Sequence, residues 1–145
     1  MFKHILLPTD GSEASENAIK KCIQFAKDTG AKITGFHVTP EFHVIAYQTE
    51  MLEDTKEEFM QASKVHAATY LASIENAARE AGVPCSVTYT SSDHPFEAII
   101  EAAKEHHCDL IAMASHGRKG VKGVLMGSET HKVLTHSQIP VLVYR

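Results

Sequence analysis

Apolar positions along the chain repeat with two different periods, and the alternation between them predicts an α/β fold. Short apolar runs of the kind buried on both faces of a parallel sheet occur at Ile5-Leu6-Leu7 and at Leu110-Ile111-Ala112-Met113-Ala114. Lys32 to Val38, Ser86 to Tyr89 and Val141 to Tyr144 are further strand candidates. Between them the spacing becomes helical. From Ser12 to Thr29, Ile19, Cys22, Ile23 and Ala26 share one stripe, and Gly30 stands where a helix C-cap glycine belongs. A longer helix over roughly 50–81 carries Ala67, Leu71, Ile74, Ala78 and Ala81 on one stripe and stops at Gly82, before Pro84. A third follows Asp93-His94-Pro95, with Pro95 at a first helical position and Phe96, Ile99, Ile100 and Ala103 on its apolar face. A short fourth starts at Ser128. Residues 39–50 are the least regular stretch and read as a mobile loop over one end of the sheet.

The order β-α-β-α-β-α-β-α-β requires crossover connections, so the expected sheet is parallel, with five strands and helices on both faces. Ligands of such sheets sit beyond the carboxyl ends of the strands, where the strand order reverses. Two loops after strands stand out.

Pro8-Thr9-Asp10-Gly11-Ser12 follows the first strand. A carboxylate there, beside a glycine that permits close approach, can accept hydrogen bonds from ligand hydroxyls such as a ribose diol. The same residues also suit a purely structural role, with Thr9, Asp10 or Ser12 capping the next helix and Glu13 in a capping-box position relative to Asp10. The second loop, Ala114 to Ser128, holds four of the chain's eight glycines (Gly117, Gly120, Gly123, Gly127) and the cations Arg118, Lys119 and Lys122. Successive backbone N–H groups, the positive end of the last helix and the Ser128 hydroxyl would make a nest for phosphate oxygens. The alternative is a glycine-rich surface loop with solvated cations. Neither a Walker A spacing nor Gly-x-Gly-x-x-Gly occurs.

Composition narrows the classes. With 145 residues, 43% hydrophobic and 22% charged, the chain has the material for one domain, 1–145. No apolar run approaches the roughly 18–20 residues of a membrane helix, and the first run ends at Pro8, which predicts a cytoplasmic protein. A net charge of −4 argues against a nucleic-acid footprint. The acidic stretch Glu50, Glu53, Asp54, Glu57 and Glu58 reads as a solvated helix start. Cys22, Cys85 and Cys108 are odd in number and lack a C-x-x-C, so they read as buried thiols and not as a disulfide or zinc framework. Ten histidines invite a metal reading. The densest group, His106-His107-Cys108-Asp109, has no spacing that puts two ligands on one helix face and reads as a helix end. His116, in the glycine-rich loop, either reaches toward a phosphate or packs the loop.

Pro8-Thr9-Asp10-Gly11-Ser12, Phe36-His37-Val38, Ser115-His116-Gly117, a nine-residue gap to Gly127-Ser128, and Ile139-Pro140-Val141-Leu142-Val143 together resemble the universal stress protein (UspA) family over the whole chain. The most specific element is the nucleotide signature Gly-x2-Gly-x9-Gly-Ser/Thr. Its first glycine is Ala114 here, a departure expected to weaken or retune binding more than abolish it. The resemblance implies a sheet of order 3-2-1-4-5 in an adenine-nucleotide alpha-hydrolase-like domain, and a homodimer through strand 5. It also implies ATP or AMP as ligand, with or without Mg2+. Carried over by position, Asp10 would contact ribose or adenosine, Pro8 and Thr9 would line the pocket, and Val38 would meet adenine through its backbone. Met113 would pack nearby, Ala114 would line the site at the signature's first glycine position, and Gly117, Gly127, Ser128 and Glu129 would frame the phosphates.

Three functions remain open at this point. The first is a cytoplasmic stress-response regulator that binds an adenine nucleotide between the ends of strands 1 and 4. The second is a phosphoryl-transfer or hydrolytic enzyme, for which the sequence offers no dedicated base, evident arginine finger or Gly-x-Ser-x-Gly elbow, and which would at most hydrolyse ATP or autophosphorylate slowly. The third is a nucleotide-free protein–protein interaction dimer of the same family, which follows if Ala114 closes the pocket.

Overall fold

A computed structural model describes residues 1–43, 49–117 and 126–145, with side chains given outside 49–54. The elements follow in the order β1 (His4–Pro8), α1 (Glu13–Thr29), β2 (Lys32–Thr39), α2 (Thr49–Ala81), β3 (Cys85–Ser91), α3 (Pro95–Glu105), β4 (Leu110–Ala114), α4 (Ser128–His136) and β5 (Val141–Tyr144). All five strands are parallel, in the order β3-β2-β1-β4-β5.

Side chains that alternate along each central strand feed two cores, because successive residues of a strand point to opposite faces. Ile5 and Leu7 of β1 and Leu110 and Ala112 of β4 join Ile19, Cys22, Ile23 and Ala26 of α1 and Leu71, Ile74 and Ala78 of α2. Leu6, Ile111 and Met113 face the other way, onto Ile99, Ile100 and Ala103 of α3 and Val133 of α4. Both faces of β1 and β4 are therefore covered, which explains why their sequences are apolar throughout.

Residues 39–50 require a correction. Thr39 is the last residue of β2 and is buried, bonded through its hydroxyl to the Ser91 hydroxyl at 2.8 Å. Thr49 and Glu50 already belong to α2. Of the expected loop, 40–43 are described, with Phe42 packed against Phe59 of α2 at 5.4 Å between ring centres, and 44–48 lie outside the described residues. The acidic stretch does fall in the first turns of α2, where Glu57 and Glu58 are exposed.

The His106–Asp109 group is a helix end followed by a tie. His106 caps α3, His107 takes a positive φ of 57°, and Cys108 is buried. Asp109 then accepts the backbone N–H groups of Lys3 (2.9 Å) and His4 (3.0 Å), fastening the start of β1 to the start of β4. Partial burial opposes ionisation of Asp109, but those two N–H donors outweigh it and hold the carboxyl below the usual value of 3.8. A carboxylate with a lowered folded pKa stabilises above its unfolded pKa and loses that contribution as pH falls through the folded value. Asp109→Asn should therefore cost about 1 kcal/mol at pH 7, a figure kept low because the group is near solvent. Denaturant melts at descending pH should show the gap between the two proteins closing below pH 3.8.

Candidate functional site

The chain leaves β1 to cover one face of the sheet and arrives at β4 from the other, so the loops after these neighbouring strands part and leave a crevice. A cavity of about 710 Å³ opens there. All ten residues singled out from the sequence line it: Pro8, Thr9, Asp10, Val38, Met113, Ala114, Gly117, Gly127, Ser128 and Glu129.

The β1 loop is held from several sides. The Thr9 N–H donates to the Phe36 carbonyl at 2.8 Å, and the Thr9 carbonyl accepts from Nδ1 of buried His37 at 2.8 Å. Ser12, and not Asp10, is the N-cap of α1, accepting the Ser15 N–H at 3.1 Å. Asp10 supports that cap from outside: its Oδ1 accepts the Ser12 N–H at 2.9 Å and the Ser15 hydroxyl at 2.8 Å. Gly11 has φ +77°, and a Cβ there would lie 2.3 Å from the Tyr70 ring of α2, so both its dihedral and its neighbour require glycine. Tyr70 in turn meets His37 edge-on at 5.1 Å and stacks with His66 at 6.1 Å.

Across the crevice, Gly117 lies directly against Asp10. A Cβ on Gly117 would come within 2.3 Å of Asp10 Oδ2, so this glycine makes room for the carboxylate. Gly127 is the N-cap of α4, and its N–H is already committed to the Ser115 carbonyl at 2.6 Å. The donors that α4 presents to the cavity are accordingly those of its first turn, Ser128 onward, which have no acceptor within the helix. Glu129 lines the cavity, but its carboxylate is occupied elsewhere. Oε2 accepts the Phe96 N–H at 2.9 Å, capping α3, whose own N-cap residue His94 makes no side-chain cap, and Oε1 meets Lys132 at 3.3 Å. Thr130 ties α4 to β4 through a buried 2.8 Å bond to the Ala114 carbonyl. Ala114 itself is 7% exposed and forms part of the wall of this cavity of about 710 Å³. His116 is exposed, contacts the Ser115 hydroxyl at 3.1 Å and lines the cavity. Arg118, Lys119 and Lys122 lie outside the described residues.

Sequence reasoning missed Ser15, Phe36, Pro40, Ser92, Asp93, Ile99 and Thr130, which with Pro95 and His116 complete the lining. Phe36 and Ile99 carry ordinary core patterning, and nothing local distinguishes them from other core residues. Asp93 had a usable signal, being an acid just past a strand end, as Asp10 is. It contacts His43, whose hydrogen bond holds the Asp93 carboxyl below its usual range.

The lining thus divides by chemistry. Phe36, Val38, Ile99 and Met113 form an apolar wall, Asp10 supplies a fixed acceptor, and the first turn of α4 supplies N–H donors with the positive end of a helix dipole.

Comparison with known proteins agrees with this architecture. Universal stress protein YxiE of Bacillus subtilis is 32% identical over 152 aligned residues, spanning the whole of both chains. The solved structure of protein MJ0577, a universal stress protein of Methanocaldococcus jannaschii, superposes with a TM-score of 0.84 at 29% identity, covering 99% of this chain and 95% of that one. A universal stress protein solved in complex with cAMP shares the fold, with a TM-score of 0.72 at 23% identity over 99% of this chain and 97% of its own. A sequence profile of the universal stress protein family matches residues 1–145, and the chain belongs to that family.

Proposed function

We propose that this chain is a nucleotide-binding regulatory protein of the cytoplasmic stress response, which takes ATP or AMP, with or without Mg2+, into the crevice between β1 and β4 and acts as a homodimer. The observation that carries the reading is the meeting of Asp10 and the α4 N-terminus in one cavity with an apolar wall. An adenine nucleotide has the matching sequence of groups: a flat apolar base for Val38 and Met113, ribose hydroxyls that donate to Asp10, and phosphates for the first-turn N–H groups of α4. At about 710 Å³ the cavity falls within the roughly 300–1,000 Å³ usual for small-molecule sites. Because the Ala114 methyl leaves this volume open, nucleotide binding is favoured over a nucleotide-free interaction dimer. Three cysteines that remain free thiols suit a reducing compartment. Among the described residues, no helix is long and apolar enough to cross a membrane.

The dimer reading rests on β5. It is an edge of the sheet, and its four residues Val141 to Tyr144 are all only half-buried. Leu142 and Tyr144 pack onto one core and Val141 onto the other, whereas Val143 belongs to neither. An apolar edge strand leaves a row of unpaired backbone groups, and pairing with a second copy about a two-fold axis satisfies both. Analytical ultracentrifugation should give a dimer at micromolar concentration, and Val143→Lys should shift it to monomer. A wild-type monomer throughout that range overturns this part of the reading.

Calorimetric titration with ATP, ADP and AMP, with and without Mg2+, tests the ligand. Saturable binding of ATP or AMP is expected. Failure of all three, together with no nucleotide released on denaturing the purified protein, would return the chain to the interaction-dimer reading.

Asp10 serves both α1 and the proposed ligand, so the substitution must separate the two. Asp10→Asn keeps an acceptor for Ser12 and Ser15 but loses the charge. Affinity should drop at least about tenfold, since a charge-assisted hydrogen bond contributes roughly 1.5–3 kcal/mol, while stability changes by less than about 1 kcal/mol.

Gly117→Ala should reach the same end without touching an ionisable group. Its methyl collides with Oδ2 and turns the Asp10 carboxylate away from its partners. The two substitutions should be non-additive when combined, as expected for side chains in contact. Additive losses would show that Gly117 acts independently of Asp10.

A further inference from the structure

One cluster of metal-capable side chains is assembled at the rim of the cavity from segments far apart in sequence. Glu41 and His43 follow β2, Asp93 lies between β3 and α3, and their ligand atoms all fall within 4.8 Å of one another. We infer that Glu41, His43 and Asp93 form a binding site for a borderline divalent transition cation of the Zn2+ class.

The donor set selects that class. An imidazole with two carboxylates suits Zn2+ and its neighbours, whereas Mg2+ prefers oxygen ligands in a strict octahedron and keeps much of its water. Two ligands at the usual Zn–N and Zn–O lengths of about 2.0–2.2 Å in a tetrahedral site stand roughly 3.3 Å apart. Pairs at the outer limit of the cluster have to close by at most about 1.5 Å and the touching His43–Asp93 pair has to open, both within the swing of exposed side chains. His43 Nε2 and Asp93 Oδ2 are already in contact, and a metal would take the place of the proton between them. Water would complete the coordination.

The framework beneath the three side chains is set by hydrogen bonds that do not depend on an ion. The Ser92 N–H donates to the Thr39 carbonyl at 2.9 Å, which joins the end of β2 to the loop after β3. The Ser92 hydroxyl accepts the His94 N–H at 3.0 Å and shapes that loop. Asp93 Oδ1 accepts the Glu41 N–H at 3.2 Å, so the carboxylate is oriented with its other oxygen toward His43. Outer partners of this kind orient metal ligands and tune their affinity. Between Glu41 and His43, Phe42 is anchored on Phe59 of α2. An isolated surface ion pair has no need of this second carboxylate or of the backbone bond that aims Asp93.

The position gives the site a consequence. Pro40 and Asp93 both line the cavity, so a cation bridging their segments would fasten two parts of its rim together. This inference does not depend on the nucleotide reading, and its test uses nucleotide-free protein so that the two fail separately.

Calorimetric titration of the full chain with Zn2+ should show one ion bound per chain, and the same site should take Co2+ with the visible absorption of a four-coordinate ion. His43→Ala, Asp93→Asn and Glu41→Gln should each weaken Zn2+ by more than the roughly 10–100-fold that loss of an outer partner costs. His106→Gln, at the end of α3, should leave affinity unchanged, and millimolar Mg2+ should not displace Zn2+. Circular dichroism of the variants should match the wild type, since all three residues are exposed. A wild-type chain that binds no Zn2+, Zn2+ binding that survives both His43→Ala and Asp93→Asn, or displacement by Mg2+ would overturn the assignment.

Discussion

Parallel pairing of β1 with β4 is the constraint on which the rest of the molecule depends. Its register sets Ile5 beside Leu110 and Leu6 beside Ile111, so that each residue's neighbour faces the same core. A slip of one residue would turn Ile111 and Met113 out of the core under α3 and drive Leu110 and Ala112 into it. At the carboxyl ends of the same two strands, the chain departs to opposite faces and a crevice is left between the loops. Core packing thereby fixes where Asp10 and Gly117 meet, although more than 100 residues separate them.

Most polar atoms around that crevice are engaged with the protein itself. Asp10 Oδ1 serves the α1 cap, the Gly127 N–H serves Ser115, the Glu129 carboxylate serves the start of α3, and the Thr130 hydroxyl serves β4. Each bond joins a cavity residue to a different element, so the walls are positioned by the same network that assembles the domain. Satisfied networks of this kind in a low-dielectric setting are rigid. Beyond this network the lining offers the first-turn donors of α4 and apolar side-chain surface.

The strands and helices were legible because their periodicities are local. The apolar runs placed β4 and β5 with their observed ends, while β1, β2 and β3 extend beyond the runs by one or two residues, since their last pairs are made by neighbours that no local pattern contains. The signature around Gly117 and Gly127 led to residues that line one cavity, but spacing could not say why those positions favour glycine. For Gly117 the reason is the Asp10 carboxylate, and for Gly127 it is His116 and Ser115, whose atoms a Cβ would meet at 3.0–3.5 Å. The Glu129 cap on α3 was illegible for the same cause, because donor and acceptor belong to different helices 33 residues apart. Thr39 read as loop because its burial comes from pairing with Ser91, a partner supplied only by the sheet.

Ala114 links the cavity to the edge of the sheet. It is the last residue of β4, and with His107 the non-glycine of positive φ among the described residues, Ala114 has ordinary strand backbone that needs no glycine. Its methyl therefore bears on the fit of a ligand and leaves the fold alone. Ala114 also stands in register with Tyr144 of β5, and the next residue, Ser115, donates its N–H to the Tyr144 carbonyl at 2.7 Å. One ladder step separates the cavity wall from the strand at the proposed dimer contact. A ligand that displaces the end of β4 must displace Tyr144 or break that bond, and either outcome alters the edge that a second copy would pair with. The shortness of this route is what makes a regulatory dimer a natural use of the fold, because small shifts at a packed strand end are not absorbed by a close-packed interior.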